Sequence, residues 1–149
     1  WIGFSSLRQT PIFNKDEKNL DLEESPKRIV TNISDADQTV FESIQKKINE
    51  GKHYLDSSLT LSELSDLLEI RDKELSRIIN LCSDDSFYGF INKLRIEHFK
   101  FILIEQGHTH LSILGMAMES GFKNKSTFYA AFRKVEGMTP REYELALTK

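Results

Sequence analysis

Two stretches decide the fold: LSELSDLLEIRDKELSRIINLC at residues 61–82 and ILGMAMESGFKNKSTFYAAFRKV at residues 113–135. In the first, Leu61, Leu64 and Ser65 lead to Ile70, a polar turn follows, and Leu75, Ile79 and Cys82 recur at helical spacing. In the second, Ile113, Met116 and Ala117 lead to Phe122, and Phe128, Phe132 and Val135 follow the turn. The offset is 52 residues through the first helix (Leu61 to Ile113) and 53 through the second (Leu75 to Phe128). One extra turn residue in the later copy accounts for the change. Each copy has the outline of a helix-turn-helix. Gly121 suits the later turn because glycine enters left-handed backbone without a Cβ penalty, whereas the earlier turn carries Glu69. One helix pair is common in proteins; a duplicated pair is far more specific.

Working outward, residues of about 86–105 form a bridging helix, opened by Asp84 or Asp85. Phe87, Phe90, Ile91 and Leu94 lie on one side and Ile96, Phe99 and Leu103 on nearly the opposite side, with Phe101 and Ile102 expected to keep the first side apolar. A helix that changes its buried face midway serves two cores. Upstream, Ser34 caps a helix placing Val40, Phe41, Ile44 and Ile48 on one face and closing at Gly51. Thr60 and Glu63 make a capping box ahead of the stripe Leu61, Leu64, Leu67 and Leu68, and Asp72 is placed as the next cap. Thr109 is expected to start a helix running through Met118, another runs from Lys125 to Val135 and stops at Gly137, and Thr139-Pro140-Arg141-Glu142 opens the last. Nothing alternates with period two for long. The fold is therefore read as all-α, with about seven helices: a first helix-turn-helix at about 60–82, the bridge at 86–105, a second motif at about 109–136 and a closing helix at about 139–147, all within a unit spanning 34–149.

With 20 basic and 23 acidic residues, the net charge of −3 excludes an indiscriminate polyanion binder but leaves room for a basic face. The single cysteine excludes a disulfide scaffold; Cys82 is read as a small core residue in a reducing, cytoplasmic compartment. No stretch approaches the roughly 20 apolar residues that cross a bilayer. Residues 1–33 are read as an irregular linker or arm, its Trp1-Ile2-Gly3-Phe4 opening being either a sticky tail or the end of a membrane-proximal segment. An enzyme is not expected. His53, His98, His108 and His110 show no metal-ligand spacing and are read as solvated or capping; there is no phosphate-binding glycine loop and no nucleophile motif, so neither cofactor nor metal is implied.

The second helix of each copy carries the candidate chemistry. Opposite Leu75, Ile78, Ile79 and Cys82 stand Lys73, Arg77 and Asn80, flanked by Ser76. Opposite Phe128, Ala131, Phe132 and Val135 stand Ser126, Ala130 and Arg133, flanked by Thr127 and Tyr129, with Lys123, Asn124 and Lys125 at the helix start. Arg forks onto guanine, Asn onto adenine, and Ala or Thr meets a thymine methyl in a major groove. Base reading is therefore assigned to Lys73, Ser76, Arg77, Asn80, Lys125, Ser126, Thr127, Ala130 and Arg133. Phosphate contact is assigned to Lys123, Asn124, Tyr129, Lys134 and Arg141, and to the helix N-termini at Thr60 and Thr109. Between Lys123 and Arg141 stand five basic residues against Glu136 alone, a local charge of about +4 in an acidic chain.

The span from about Leu59 to Tyr143 resembles the paired helix-turn-helix domain of the AraC/XylS family of bacterial transcription regulators. The matching runs are Leu61-Ser62-Glu63-Leu64, Leu75-Ser76-Arg77-Ile78-Ile79, Phe90-Ile91-Asn92-Lys93-Leu94-Arg95, Gly121-Phe122, Ser126 to Arg133 and Gly137 to Tyr143. The resemblance implies recognition helices from Asp72 to Cys82 and from Lys125 to Glu136, set in successive major-groove segments of double-stranded operator DNA, and activation as the commoner mode. Three residues depart from the family pattern: Ser65 stands where Ala is usual, Phe99 where a small residue is usual, and Glu144 where a basic one is frequent. The family's sensing or dimerising part is expected upstream, as is a membrane anchor of the kind that precedes such domains in certain Bacteroidetes regulators. RNA polymerase is a further partner to consider. The alternative is an all-α protein-interaction adaptor without sequence-specific DNA binding.

Overall fold

The computed structural model describes residues 33–105 and 110–148, which fall within one compact unit. Among them are seven α-helices and no strand: α1 (Asp35–Gly51), α2 (Leu61–Leu68), α3 (Asp72–Ser83), α4 (Phe87–Glu105), α5 (Ile113–Glu119), α6 (Lys125–Glu136) and α7 (Pro140–Leu147), with a 3₁₀ turn at His53–Leu55.

The helix boundaries follow local chemistry. Ser34 Oγ accepts the Asp37 N–H and starts α1, and the reciprocal Thr60–Glu63 and Thr139–Glu142 capping boxes start α2 and α7. Three expected caps shift, the one at α4 being Ser86, whose Oγ accepts the Gly89 N–H at 3.2 Å, in place of Asp84 or Asp85. Arg71 rather than Asp72 is the N-cap of α3, making Asp72 the first helical residue, where its charge still favours the positive end of the helix dipole. Ser112, not Thr109, caps α5 by accepting the Gly115 N–H at 3.0 Å; Thr109 lies outside the described residues. Gly51 is the last residue of α1, and the left-handed cap after it is Lys52.

The duplication is visible bond by bond. Thr60 and Ser112 are equivalent caps, 52 positions apart in the numbering. Ile70 N–H donates to the Ser65 carbonyl at 3.1 Å, and Phe122 N–H donates to the Ala117 carbonyl at 3.1 Å. Both turns pass through positive φ, 57° at Glu69 and 93° at Gly121. Ser65, buried in α2, satisfies its hydroxyl by donating to the Ile70 carbonyl, so the departure from a small apolar residue leaves no orphaned group.

Two cores result. Phe41, Ile44 and Ile48 of α1 meet Leu64 and Leu68, Leu75, Ile78 and Ile79, and the Phe87, Phe90 and Ile91 end of α4. The other end of α4, with Ile96, Phe99, Ile102 and Leu103, packs with Met116, Ala117, Phe122, Phe128 and Phe132. Phe99 is fully buried, its ring 4.9 Å from Phe128 and 5.6 Å from Phe132, so the bulky residue is built into an aromatic cluster whose hub is Phe128. At about 1.5 Å per residue the 19-residue α4 spans about 28 Å, long enough to serve both lobes.

Three apolar residues expected inside are outside. Val40 and Leu67 sit on the flanks of their stripes and Phe101 is 57% exposed, because each helix buries a narrower sector than its apolar residues span; Ile102 instead enters the second core. One residue that sequence reasoning missed is deep inside. Arg95 is buried in mid-α4, where Nε donates to the Tyr54 carbonyl at 2.7 Å and Nη2 to the Asp56 carbonyl at 2.7 Å. Its guanidinium also lies 5.9 Å from the Phe122 ring centroid, so one side chain touches both lobes. Burial pulls its pKa down, and the nearby Asp56 charge opposes that shift.

Candidate nucleic-acid interface

On α3, Leu75, Ile78 and Ile79 anchor one side of the helix in the first core. This leaves Lys73, Arg77 and Asn80 exposed, with Ser76 half-buried at the flank. On α6, Phe128 and Phe132 anchor the helix, and Lys125, Ser126, Thr127, Ala130 and Arg133 are exposed, with Tyr129 half-buried. Superposing the copies by their numbering sets Arg77 on Ala130 and Asn80 on Arg133. The two arginines therefore stand one helical turn apart in the duplicated frame.

Their surroundings differ more. Arg77 is clamped by carboxylates: Nε and Nη2 donate to Glu74 at 3.0 and 2.8 Å, and Nη2 also donates to Asp37 of α1 at 2.6 Å. These bonds hold the Glu74 and Asp37 carboxyls below, and the Arg77 guanidinium above, their usual ranges. Arg133 has no carboxylate within ion-pair distance among the described residues.

The basic run of the second lobe is also partly spent within the molecule. Lys134 donates to Asp85 at 3.2 Å, and Lys93 pairs with the same carboxylate, which is nearly buried; both lysines hold its pKa down. Arg141 pairs with Glu144, so that departure from the family pattern cancels a charge directly. Lys125 Nζ lies 5.5 Å from the Tyr129 ring centroid. Lys123, Lys125 and Arg133 remain as exposed cations without an ion pair among the described residues.

Asn124 is the α6 N-cap, its Oδ1 accepting the Thr127 N–H at 2.9 Å, which leaves its amide N–H₂ as a donor. Thr60 gives both its backbone N–H and its hydroxyl to the Glu63 carboxylate, so a phosphate at that end of α2 would have to displace a carboxylate. Lys134 and Asp85, with Gly89, Asn92, Thr127 and Ala130, line a cleft of about 230 Å³ between α4 and α6. His98 is half-buried rather than solvated: its Nδ1 lies 3.4 Å from Ser120 Oγ, and burial lowers its pKa. Among the described residues, no cluster of His, Cys, Asp and Glu is arranged to hold a metal, and no helix is long and apolar enough to cross a membrane.

A family model described as a helix-turn-helix domain matches residues 64–145. The melibiose operon regulatory protein of Escherichia coli K12 is 28% identical over 88 residues, covering 59% of this chain and 28% of that protein. An uncharacterised HTH-type transcriptional regulator of Staphylococcus aureus is 30% identical over 101 residues, covering 65% of this chain and 13% of that protein. The chain thus spans less than a third of the length of either relative. Among solved structures, the C-terminal domain of the two-component response regulator yesN from Fusobacterium nucleatum aligns with a TM-score of 0.57 at 30% identity, covering 71% of this chain and 98% of that one. The C-terminal domain of AraT, a response regulator from Geobacillus stearothermophilus, gives 0.57 at 28% identity, covering 78% and 88%. The duplicated turn, the bridging α4 and these matches together establish that the chain belongs to the AraC/XylS-type helix-turn-helix family of DNA-binding transcription regulators.

Proposed function

We propose that residues 34–149 are a sequence-specific reader of double-stranded DNA, with α3 and α6 entering successive major-groove segments on one face of the duplex. The observation that carries this reading is the pair of recognition helices. Each is pinned by an aromatic or aliphatic core and turns a short polar face outward, and one helix, α4, contributes to both cores. Arg133 of α6 is the leading base contact, being exposed and without an ion pair among the described residues; Lys125, Ser126, Thr127 and Ala130 accompany it on that helix, and Lys73, Ser76, Arg77 and Asn80 read bases from α3. Lys123 supplies a charged phosphate contact, and Asn124 and Tyr129 supply polar ones.

Activation is the mode we favour, on the family resemblance. Contact with RNA polymerase, dimerisation through a region upstream and anchoring of a longer parent protein belong to the same proposal. The experiment is selection of bound sequences from a random duplex pool, followed by gel shifts across a salt series. A reader returns a site covering two groove segments and an affinity that falls steeply with salt as counterions are released. An adaptor returns no enriched sequence and little salt slope.

A further inference from the structure

Arg77 has five N–H groups, and three are already engaged. Nε–H and one Nη2–H go to the two oxygens of Glu74, and the other Nη2–H goes to Asp37 Oδ1 at 2.6 Å. Only the two hydrogens of Nη1 are left, and they diverge. Forking onto guanine needs two near-parallel N–H groups on different nitrogens. The Nε/Nη2 edge is held by Glu74, and the Nη1/Nη2 edge is blocked at Nη2 by Asp37. In this arrangement Arg77 cannot read a guanine with two bonds unless one carboxylate lets go.

The two carboxylates are not equally held. Glu74 is one helical turn away on α3 and binds through both oxygens, so it follows Arg77 wherever α3 goes. Asp37 reaches across from α1 with a single bond to Arg77. It is fixed there by Ser34, whose hydroxyl donates to Asp37 Oδ2 at 2.7 Å while accepting the Asp37 N–H. The releasable bond is the one to Asp37.

We propose that Asp37 of α1 is an internal competitor for the base-reading edge of Arg77, so that the first lobe engages DNA only where a guanine displaces this carboxylate. The proposal rests on the reading of Arg77 as a base contact. Asp37 thereby sets the cost of first-lobe recognition, and the counterpart position of Arg77 in the second lobe, Ala130, carries no such restraint.

The test is a double-mutant cycle read as affinity for a selected duplex, with Asp35→Ala as the control for removing an acid from the same first turn of α1. Asp37→Ala is expected to tighten binding about two- to fivefold beyond the control, the range of an exposed ion pair. In an Arg77→Ala background that excess disappears. Asp37→Asn, which keeps the shape and loses the charge, moves affinity in the same direction by less and covers the case in which the alanine variant folds poorly. If Arg77→Ala weakens binding but Asp37→Ala gives no excess, or gives the same excess without Arg77, the competitor role is overturned while the base-reading role stands. If Arg77→Ala binds like the parent, the base-reading role falls and the competitor role with it.

Discussion

The carbonyl of Tyr54 lies against Gly121 with no room for a Cβ between them, and Arg95 Nε closes the other side at 2.9 Å from where that carbon would stand. This is the point where the 3₁₀ turn of the first lobe meets the helix-turn-helix corner of the second. Gly121 also has φ of 93°, which a side chain disfavours. Gly121→Ala is therefore expected to destabilise the domain by about 2–4 kcal/mol, combining backbone strain with overpacking. Urea denaturation followed by circular dichroism measures it; a change below about 0.5 kcal/mol, the range of a neutral surface substitution, would show that the corner relaxes freely.

Arg95 makes the same junction by hydrogen bonding. Arg95→Met keeps much of the volume but leaves the Tyr54 and Asp56 carbonyls without their donor. The expected loss is about 3 kcal/mol, as for other buried charge-assisted bonds, and Arg95→Lys should recover less than half because an ammonium cannot reach both carbonyls in one plane. Denaturation midpoints of the three proteins decide it.

The bridging helix offers a paired contrast. Phe99 is fully buried and Phe101 is 57% exposed, two residues apart on α4. Phe99→Ala should cost about 3–5 kcal/mol through lost burial and a cavity among Phe128 and Phe132, whereas Phe101→Ala should stay within about 0.5 kcal/mol. Thermal melts of both variants, side by side, are the check.

Base reading should be unequal between the lobes. Removing Arg133, which makes no ion pair among the described residues, should weaken a selected duplex about five- to 150-fold and relax the preference at one base position. Removing Arg77 should cost less, because its gain on DNA is offset by the bonds to Glu74 and Asp37 that it must loosen. Fluorescence anisotropy on the selected duplex and its single-base variants ranks the two, and a larger loss at Arg77 would reverse the assignment.

Asp85 gives a pH signature. Lys93 and Lys134 depress its pKa, so the folded state binds this proton less readily than the unfolded chain does. Its stabilising contribution is present above the ordinary carboxylate range, near 4, and is lost as pH falls through the lower native value. Asp85→Asn should remove that part of the acid limb, giving a stability profile flatter than the parent's below about pH 4. Parallel profiles would exclude the coupling.

Much of this was legible in the chain itself. Periodicity and caps gave the helix order, and the change of buried face along α4 is seen in its two cores. The misplaced start of α5 came from reading Thr109 as a cap in isolation; carrying Thr60 forward by the 52-residue offset lands on Ser112, the cap observed. Arg95 and the clamp on Arg77 were not legible. Each depends on partners about 40 residues away in sequence, Tyr54 and Asp56 for one and Asp37 for the other, and no local pattern encodes such a meeting.

The non-glycine residues held at positive φ are Lys52, Glu69 and Asp84, all in the first lobe, whereas the second lobe uses Gly121 and Gly137 for the same purpose among the described residues. Each side chain in that region stores about 1–2 kcal/mol that glycine avoids. The first lobe is thus spring-loaded at three joints while its twin sits relaxed, so spontaneous fraying should begin at α1–α3, and amide protons there should exchange with solvent ahead of those in α5–α7.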